Sequence, residues 1–444
     1  MTYIRSFSSE SFDTVQLIED DCAIKSSNFK TVIIGENGTG KTRLLNDILS
    51  TVRELKTEKI VQKNITLHYT EKDKSFSNIV AISTSLNDKL PFSDNNKFHD
   101  DYYQYCGIRE TSNASWTSSL MRKTIDNLLV CIEKNQSKQV KKILDFLDLS
   151  SRFRITFKFK NIKNFDLTDC SGEDLHDFIK SYSENTSRMQ VDKIRSFSSE
   201  QAKSIIDNFI PLVRKFDKNE YYIEVIVSNN TEGFVDAYEN LDILRRVGLI
   251  SSVSLSLSRT DRTSNYSFVD ASSGEALLLH SLTAFIRYVS NNSLVIIDEP
   301  EISLHPNWQI KYFSLLNTML SNVKNCHVII ATHSHFLISE LDKESSSLIS
   351  LKVVNGKVEA DNIVSSTLGW SPESILYRVF NVRTFNSLYL ESDLQKAHSM
   401  LYSDSCDFNE LRRLNSKFQS LVLDDSDPLN KFIETVKGYI NDNL

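Results

Sequence analysis

The stretch that decides the fold is Thr31-Val-Ile-Ile-Gly-Glu-Asn-Gly-Thr-Gly-Lys-Thr42. Four residues that favour a buried β-strand run into a cluster of three glycines, and a helical pattern from Arg43 to Leu55 follows. The chain has only 11 glycines among 444 residues, so such a cluster needs a structural cause. A strand, a glycine loop and a helix in this order predict one crossover unit of an α/β fold.

The end of this stretch, from Gly35 to Thr42, fits the phosphate-binding pattern G-x-x-x-x-G-K-[ST]. Glycines let successive backbone N–H groups turn toward one anion, and the start of the following helix adds partial positive charge. In this pattern Lys41 is expected to be catalytic because it can reach the β- and γ-phosphates. The hydroxyl of Thr42 is expected to ligate Mg²⁺. We therefore expect ATP and Mg²⁺ as cofactors. The expected nucleotide-binding residues are Gly35, Glu36, Asn37, Gly38, Thr39, Gly40, Lys41 and Thr42.

Composition and charge narrow the class of protein. The chain is 40% hydrophobic and 25% charged with a formal net charge of −7, which is typical of a globular rather than a disordered chain. No apolar run reaches the ~18 residues that span a bilayer, and the N-terminus lacks a secretory signal. The six cysteines are scattered without a C-x-x-C pair, which argues against a zinc site or a disulfide framework. We expect a cytoplasmic protein without membrane association.

The other apolar runs extend the predicted sheet. Continuous runs of this kind suit a mostly parallel sheet that is covered on both faces. A β-hairpin with an Asn-Gly turn is expected from Ser350 to Val364. The predicted core strands that follow the first one are Asn78–Ile82, Leu294–Ile297 and Cys326–Ile330.

The middle and the end of the chain differ from this sheet pattern. Between about residues 85 and 269, helical periodicity alternates with amphipathic strands, and long heptads are missing. We interpret this region as an α+β insertion. The predicted division is a split head at 1–88 and 265–370, the insertion at 89–264, and a helical C-terminal region at 371–444.

A second predicted strand ends in two carboxylates, within Leu294-Val-Ile-Ile-Asp-Glu-Pro300. Acidic groups at the end of a buried strand are costly unless a metal ion or a polarised water uses them. Asp298 is placed to hold Mg²⁺ together with Thr42, and Glu299 is placed to orient or deprotonate the attacking water. Beside the glycine loop, this pair predicts ATP hydrolysis.

The longer segment Asp298-Glu-Pro-Glu-Ile-Ser-Leu-His-Pro306 closely resembles the extended Walker B motif of ABC-class ATPases related to the OLD, RecF and SMC families. Upstream, Ala271-Ser-Ser-Gly-Glu275 resembles the S-x-G-E form of the ABC signature. Downstream, Ala331-Thr-His-Ser-His335 resembles the switch-histidine motif. The order and spacing of the three motifs agree with that class. The resemblance implies an ABC-type ATPase head.

The resemblance also implies how the motifs act. In the family, two heads form a head-to-tail dimer around ATP, and the signature of one subunit faces the γ-phosphate held by the other. His333 would act as a catalytic residue in cis. The residues expected to bind nucleotide in trans are Ser272, Ser273, Gly274 and Glu275, although taken alone they also fit a plain helix N-cap. The histidines interpreted as structural are His305, His327 and His335.

One departure from the family lies after the second core strand. The family usually has a glutamine loop there, whereas Ile82-Ser-Thr-Ser-Leu-Asn87 contains no glutamine. Ser83, Ser85 and Asn87 are alternatives for the group that helps to position Mg²⁺. The contact to adenine stays unassigned.

A second activity is not expected. OLD-type proteins carry a Toprim nuclease domain, whose metal site needs a glutamate and a later D-x-D pair. The region that contains the possible acids has helical spacing instead, and Asp427-Pro428 fits a helix N-cap followed by proline. We therefore expect an ATPase without its own nuclease. The rejected candidates are Glu391, Asp393, Asp425 and Asp427.

This organisation resembles bacterial anti-phage ATPases that are encoded beside a separate effector, such as the Septu ATPase with its HNH nuclease. The resemblance implies a homo-oligomeric ATPase, at least a head-to-tail dimer, that regulates an effector. The alternative is a RecF/SMC-like ATPase of DNA repair or chromosome maintenance that binds DNA directly.

A basic strip is the candidate contact with nucleic acid. Arg152-Phe-Arg-Ile-Thr-Phe-Lys-Phe-Lys160 alternates in character, and residues 122–163 hold 11 Lys or Arg against four Asp or Glu. The alternative is a solvated strand face whose charges prevent edge pairing. The residues that would contact a phosphate backbone are Arg152, Arg154, Lys158 and Lys160.

Overall fold

A computed structural model describes most of the chain. The described residues are 2–18, 27–56, 65–69, 75–85, 88–91, 102–109, 116–159, 170–183, 197–209, 214–217, 220–227, 238, 244–245, 250–261, 265–342, 344–354, 357–363, 367–370, 372–380, 388–402, 406–421, 423 and 427–442. The strands are β1 (Thr2–Ser9), β2 (Phe12–Gln16), β3 (Phe29–Gly35), β4 (Ile65–Tyr69), β5 (Ile79–Ser83), β6 (Tyr103–Tyr105), β7 (Arg152–Phe159), β8 (Arg214–Asp217), β9 (Glu220–Ile226), β10 (Ile250–Ser258), β11 (Asn265–Ser267), β12 (Leu294–Asp298), β13 (His327–Thr332), β14 (Ser346–Val354) and β15 (Lys357–Asn362). The helices are α1 (Lys41–Lys56), α2 (Trp116–Glu133), α3 (Ser137–Phe146), α4 (Gly172–Ser183), α5 (Ser199–Ser204), α6 (Ser273–Tyr288), α7 (Pro306–Leu320), α8 (Pro372–Arg378), α9 (Leu388–Leu401), α10 (Phe408–Gln419) and α11 (Leu429–Asp442).

The largest sheet has seven strands in the order β15-β14-β3-β13-β12-β5-β6. Every neighbouring pair is parallel except the hairpin of β14 and β15 at one edge. The four strands predicted as continuous apolar runs therefore lie together at its centre. This confirms the predicted α/β class with a mixed, mostly parallel core sheet. The predicted hairpin is present, and its Asn-Gly turn lies outside the described residues.

A three-stranded antiparallel sheet, in the order β2-β1-β4, was not predicted from the sequence. Tyr3 and Ile4 of β1 are fully buried in the core that also contains one face of β3 and α1. His327 joins this sheet to the large one, because its Nδ1 accepts the backbone N–H of Ile4 at 3.2 Å and its Nε2 lies 3.0 Å from Thr31 Oγ1. Complete burial lowers the pKa of His327 to about 3, so the ring is neutral and structural, as expected.

The third sheet is antiparallel and has the order β11-β10-β7-β9-β8. Phe153, Ile155 and Phe157 of β7 are buried on one face, which confirms the predicted alternation. β7 pairs with β10 on one side and β9 on the other. The idea that its charges block edge pairing is therefore wrong, because β7 has no free edge.

The predicted insertion and the predicted head share one hydrophobic core. Helix α2 packs along α6, and Ile125 and Leu279 from these helices lie in the same buried cluster as Ile155 and Val295 from the two large sheets. Strand β6 falls within the predicted insertion at 89–264, yet it pairs with β5 as the edge of the seven-stranded sheet. The sheet thus extends beyond the predicted boundary at residue 88.

The C-terminal helices form a separate small core. Leu411, Leu414 and Phe418 of α10 are fully buried there, as their spacing predicts. The Asp427 carboxylate accepts the backbone N–H of Leu429 at 2.9 Å and so caps α11. None of the described helices combines the length and the apolarity needed to cross a bilayer.

Asp393, which the sequence analysis rejects as a nuclease ligand, makes structural contacts instead. Asp393 Oδ2 accepts from Lys417 Nζ at 2.8 Å and from the Tyr377 hydroxyl at 3.1 Å. This carboxylate therefore joins three helices of the C-terminal region. Asp425 lies outside the described residues.

Candidate nucleotide-binding site

The glycine loop, the acidic strand end and the switch histidine meet at the carboxyl ends of the central strands of the seven-stranded sheet. Since β3, β12, β13 and β5 are parallel neighbours, their carboxyl ends meet at one edge, where open α/β sheets bind ligands. The glycine loop follows β3, and Asp298 is the last residue of β12. His333 directly follows β13. Motifs more than 250 residues apart in the chain are thus brought together.

The glycine loop needs its glycines for two different reasons. Gly38 and Gly40 have φ values of +85° and +92°, a backbone conformation that other residues rarely adopt. Gly35 instead lacks space, because a Cβ there would lie 2.7 Å from both Leu351 O and Thr39 Oγ1. The loop then enters α1, which begins at Lys41, two residues before the predicted start. This cradle fits a phosphate group.

Lys41 is buried and folded back over the loop. Its Nζ donates to Gly35 O at 2.7 Å and to Glu36 O at 3.0 Å. Burial lowers the pKa of Lys41, and the nearby carboxylates of Glu299, Glu301 and Asp298 oppose that shift. The ammonium group therefore lies between the glycine loop and the acidic end of β12.

Thr42 and Asp298 are in direct contact. The Thr42 hydroxyl lies 3.0 Å from Asp298 Oδ2 and 3.2 Å from Oδ1. Asp298 is 1% exposed, and burial raises its pKa to about 7, although the Thr42 hydrogen bond lowers it. A divalent cation would favour the ionised carboxylate.

The two side chains fit the protein part of a Mg²⁺ site, since Mg²⁺ usually takes one or two protein ligands plus phosphate oxygens and water. Within the described part of the chain, no three His, Cys, Asp or Glu side chains are grouped to hold a metal on their own.

Glu299 has an unusual backbone that its neighbours hold in place. Its φ is +50°, its N–H donates to Ala331 O at 2.9 Å, and its carbonyl accepts from Thr84 Oγ1 at 2.5 Å. Thr84 was not considered from the sequence, although it directly follows the strand that neighbours β12. A polar residue at a neighbouring parallel strand end is the signal that could have identified it.

The three alternatives for the missing glutamine are now separated. Ser83 is the register partner of Asp298 and is buried beside it. The Ser83 hydroxyl oxygen accepts the backbone N–H of Ser85 at 3.2 Å. Asn87 lies outside the described residues. Ser83 is therefore the alternative that the sheet register places next to the predicted Mg²⁺ ligand.

A buried carboxylate next to His333 was also missed. Glu301 Oε1 accepts the backbone N–H of His333 at 2.7 Å, and His333 Nδ1 lies 3.1 Å from the same oxygen. The second acid of Glu299-Pro-Glu301 was the available signal. The two loops that follow β12 and β13 are thereby joined.

The signature segment begins α6. The Ser272 hydroxyl oxygen accepts the N–H of Glu275 at 3.2 Å, so the alternative of a helix N-cap describes this turn correctly. Ser272 and Ser273 are also exposed. Gly274 is buried against the turn after β12, where a Cβ would lie 2.1 Å from Ser303 O. Only a glycine permits this approach.

Glu275 differs from the expectation of a nucleotide contact in trans. The side chain is 2% exposed, and its carboxylate accepts from Arg259 Nη2 at 3.0 Å and from the Tyr266 hydroxyl. The carboxylate therefore joins the start of α6 to β11 and to the end of β10 within the same chain. Its sequence motif could not reveal these two partners.

The basic strip has mixed charge in the structure. Lys158 Nζ lies 2.9 Å from Glu220 Oε1, and the guanidinium of Arg154 lies 4.2 Å from the centre of the Tyr222 ring. Glu224 is the register partner of Arg154. Lys160 lies outside the described residues. The described part of this strip therefore does not form a continuous positive face.

Comparison with known proteins finds one relative by sequence and several solved structures with a similar course of the chain. Protein ea59 of Escherichia phage lambda is 34% identical over 121 residues, which are 27% of this chain and 22% of that protein. The chain thus aligns with about a fifth of that curated relative. The Smc head domain of Pyrococcus furiosus, solved with the C-terminal domain of ScpA, has a TM-score of 0.32 at 10% identity, covering 82% of this chain and 96% of that one. UvrA2 of Deinococcus radiodurans has a TM-score of 0.30 at 12% identity, covering 80% and 36%.

The family described as "AAA domain, putative AbiEii toxin, Type IV TA system" matches residues 30–339. That range begins in β3, ends after the switch-histidine segment, and includes the whole site built above as well as the insertion. It covers more than half of the chain. The protein therefore belongs to this family of AAA-domain ATPases.

Proposed function

We propose that this protein binds and hydrolyses ATP with Mg²⁺, and that two copies hold the nucleotide head to tail to control a separate effector in anti-phage defence. The observation that carries the enzymatic part is the contact of Thr42 with Asp298 beside the buried ammonium of Lys41. Phosphoryl transfer needs an ammonium group near the phosphates and a hydroxyl and a carboxylate near the metal ion. Lys41 and Thr42 at the start of α1 supply the first two, and Asp298 at the end of β12 supplies the third.

Each residue has a distinct role in this proposal. Thr42 and Asp298 would hold Mg²⁺, which when bound neutralises charge on the phosphate oxygens. Lys41 would exchange its contacts with two loop carbonyls for contacts with phosphate. Glu299, whose backbone is fixed on both sides, would orient the attacking water and accept its proton.

The head-to-tail arrangement is supported by the exposed serines of the signature. Ser272 and Ser273 lie at the N-terminus of the 16-residue helix α6, where partial positive charge favours an anion. Both residues are exposed, so a nucleotide held by a second copy could reach them.

The role in defence is supported by the motif set and by the family. The motifs resemble those of anti-phage ATPases that act with a separate nuclease, and the family description names a toxin of a toxin–antitoxin system. Co-purification with the products of neighbouring genes, with and without ATP, tests this role. ATP-dependent recovery of an effector such as an HNH nuclease is expected, and recovery of DNA alone would favour the RecF/SMC-like alternative.

The enzymatic part is tested with Lys41→Ala and Glu299→Gln. Both should lower phosphate release by at least ~100-fold. Glu299→Gln should still bind a fluorescent ATP analogue, whereas Lys41→Ala should bind it weakly. The matched control is Glu359→Gln on the exposed edge strand β15, which should behave like the parent protein. Normal turnover by Glu299→Gln would show that another group activates the water.

The dimer is tested with the slow variant Glu299→Gln in the ultracentrifuge. ATP should convert it to a dimer, and the added change Ser272→Arg should prevent that conversion. Ser399→Arg, an exposed serine on α9, is the control. A monomer in saturating ATP would contradict the head-to-tail arrangement.

A further inference from the structure

Glu301 is a buried carboxylate to which the proposed mechanism gives no role. It lies three residues after Asp298 and is only 5% exposed. One of its oxygens, Oε1, makes both contacts with His333. The other oxygen, Oε2, is buried without a hydrogen-bond partner among the described residues.

This arrangement is a poor one for stability alone. A buried carboxylate oxygen without a donor keeps much of its desolvation penalty, and an apolar side chain of similar size would avoid that cost. The Glu301 charge also acts on the nearby Lys41 ammonium, but neither that interaction nor the two contacts with His333 gives Oε2 a hydrogen bond. The presence of Glu301 therefore points to a use other than holding the fold together.

The geometry fixes His333 in two ways. The backbone contact at 2.7 Å sets the position of the residue, and the contact at 3.1 Å sets the direction of the ring. A carboxylate that faces Nδ1 favours a proton on that nitrogen, which leaves Nε2 on the opposite side of the ring as an acceptor. The His333 side chain is 47% exposed, whereas the Glu301 side chain that it faces is 5% exposed.

The surrounding loops are braced independently of Glu301. Gln309 of α7 donates from Nε2 to Leu304 O at 2.9 Å and accepts from the Ser334 hydroxyl at 2.5 Å. This side chain joins the same two loops as the pair of Glu301 and His333. Changes at Glu301 should consequently alter the ring without separating the loops.

We propose that Glu301 is a positioning residue for His333. It holds the imidazole in the form protonated at Nδ1, which leaves Nε2 as the acceptor that the ring can offer to nucleotide or water. The proposal rests on the proposed ATPase function for its kinetic consequence, whereas the state of the ring is a property of the protein without nucleotide.

The kinetic test compares Glu301→Leu, Glu301→Gln, His333→Ala and the double variant Glu301→Leu/His333→Ala. Leucine should lower kcat for ATP hydrolysis by about 10- to 100-fold with KM changed less than about threefold. Glutamine, which retains an acceptor oxygen of the same shape, should recover most of the activity. The double variant should be no slower than His333→Ala, because both changes remove one function.

Several results would overturn the proposal. These are Glu301→Leu as active as the control Glu359→Gln, equal losses for leucine and glutamine, or losses that add in the double variant. If the parent protein hydrolyses no ATP, the proposed function fails instead, and the spectroscopic test decides the role of Glu301.

That test uses ¹⁵N chemical shifts of the histidine rings in protein without nucleotide, with His333 assigned from the spectrum of His333→Ala. The parent should show His333 protonated at Nδ1, and Glu301→Leu should shift it toward protonation at Nε2. Thermal unfolding should show Glu301→Leu at least as stable as the parent. A ring protonated only at Nε2 in the parent, or one unchanged by leucine, would refute the proposal.

Discussion

The seven-stranded sheet and the five-stranded sheet of this protein arrange their side chains in opposite ways. In β12, Val295, Ile296 and Ile297 are consecutive and all buried, because both faces of the large sheet are covered. In β7 the buried residues Phe153, Ile155 and Phe157 instead alternate with residues that are exposed or half-buried. A sheet covered on both faces can present polar groups only at its strand ends. This explains why the predicted catalytic residues lie at the carboxyl ends of the strands in the seven-stranded sheet. The five-stranded sheet, in contrast, presents a polar face.

The two sheets nevertheless depend on one another. Ile155 belongs to the same buried cluster as Val295, and α2 of the insertion packs against α6 of the head. Ile296 points to the opposite face of the large sheet and belongs to the core shared with β1 and α1. The insertion is thus expected to unfold together with the head.

The largest expected effect comes from opening a cavity in each sheet. Ile296→Ala and Ile155→Ala should each lower the free energy of unfolding by roughly 2–5 kcal/mol. Both should keep a single transition in urea, followed by circular dichroism and tryptophan fluorescence. Ile226→Ala, which is 45% exposed on β9, is the control and should cost much less. Two separate transitions, with Ile155→Ala shifting only one, would show that the sheets are independent.

The next largest expected effect on stability comes from two buried histidines. One lies within the predicted head and the other at its junction with the predicted insertion. His327 lies within the head, and His280 of α6 lies 3.4 Å from Thr124 of α2, at the junction with the insertion. Burial lowers the pKa of each from 6.5 to about 3. At these two histidines the unfolded chain therefore binds more protons below pH 6.5, and their contribution to stability is lost as the pH decreases from 6.5 toward 3. Asp298, whose pKa burial raises to about 7, acts in the opposite direction, so the histidine contribution is isolated by comparing each variant with the parent.

Between pH 7 and pH 5, each histidine should contribute a loss of about 2 kcal/mol in the free energy of unfolding. His327→Asn and His280→Gln should each flatten the dependence of this free energy on pH, measured by urea titration at several pH values. His398→Asn on the exposed face of α9 should leave the parent curve unchanged. A steep curve in both buried variants would mean that other groups control the acid sensitivity.

Sequence reasoning succeeded where one local pattern determines one structure. The apolar run from Thr31 to Ile34 and its glycine loop could only be a buried strand entering a helix, and β7 could be recognised from its alternation. The partners of Glu275 could not be predicted, because Arg259 and Tyr266 reach it only after β10 and β11 have paired. Likewise the role of Thr84 depends on the order of parallel strands, which no local pattern contains.

Strand β1 was missed for a different reason. Its buried residues Tyr3, Ile4 and Phe7 are separated irregularly, and the pairing with β4 is shifted between Ile4 and Ser6. A register shift of this kind breaks the period of two that identifies a strand. Its position instead depends on long-range contacts, namely the pairing with β4 and the hydrogen bond from Ile4 to His327.

Glycine substitutions should change stability by smaller amounts and compare the glycine loop with the C-terminal helices. Gly40→Ala places a side chain at a φ of +92° and brings its Cβ within 3.3 Å of Phe12. This should cost about 1–2 kcal/mol of stability and weaken binding of an ATP analogue, since the loop can no longer direct its N–H groups at one anion. Thermal unfolding and a binding titration measure the two effects. Unchanged affinity would argue against this loop as the phosphate site.

The smallest expected effect is a gain. Gly438 lies inside α11, and among the described residues a Cβ there would meet no atom within 4 Å apart from the backbone of its own helix. Because glycine in a helix interior has more conformational freedom to lose on folding, Gly438→Ala should stabilise the protein by about 0.5–1 kcal/mol. Its phosphate release should equal that of the parent. The effect of a glycine-to-alanine substitution on stability should thus have opposite signs in the glycine loop and in the C-terminal region. A loss of stability in Gly438→Ala would mean that this helix needs its glycine for a contact with another molecule.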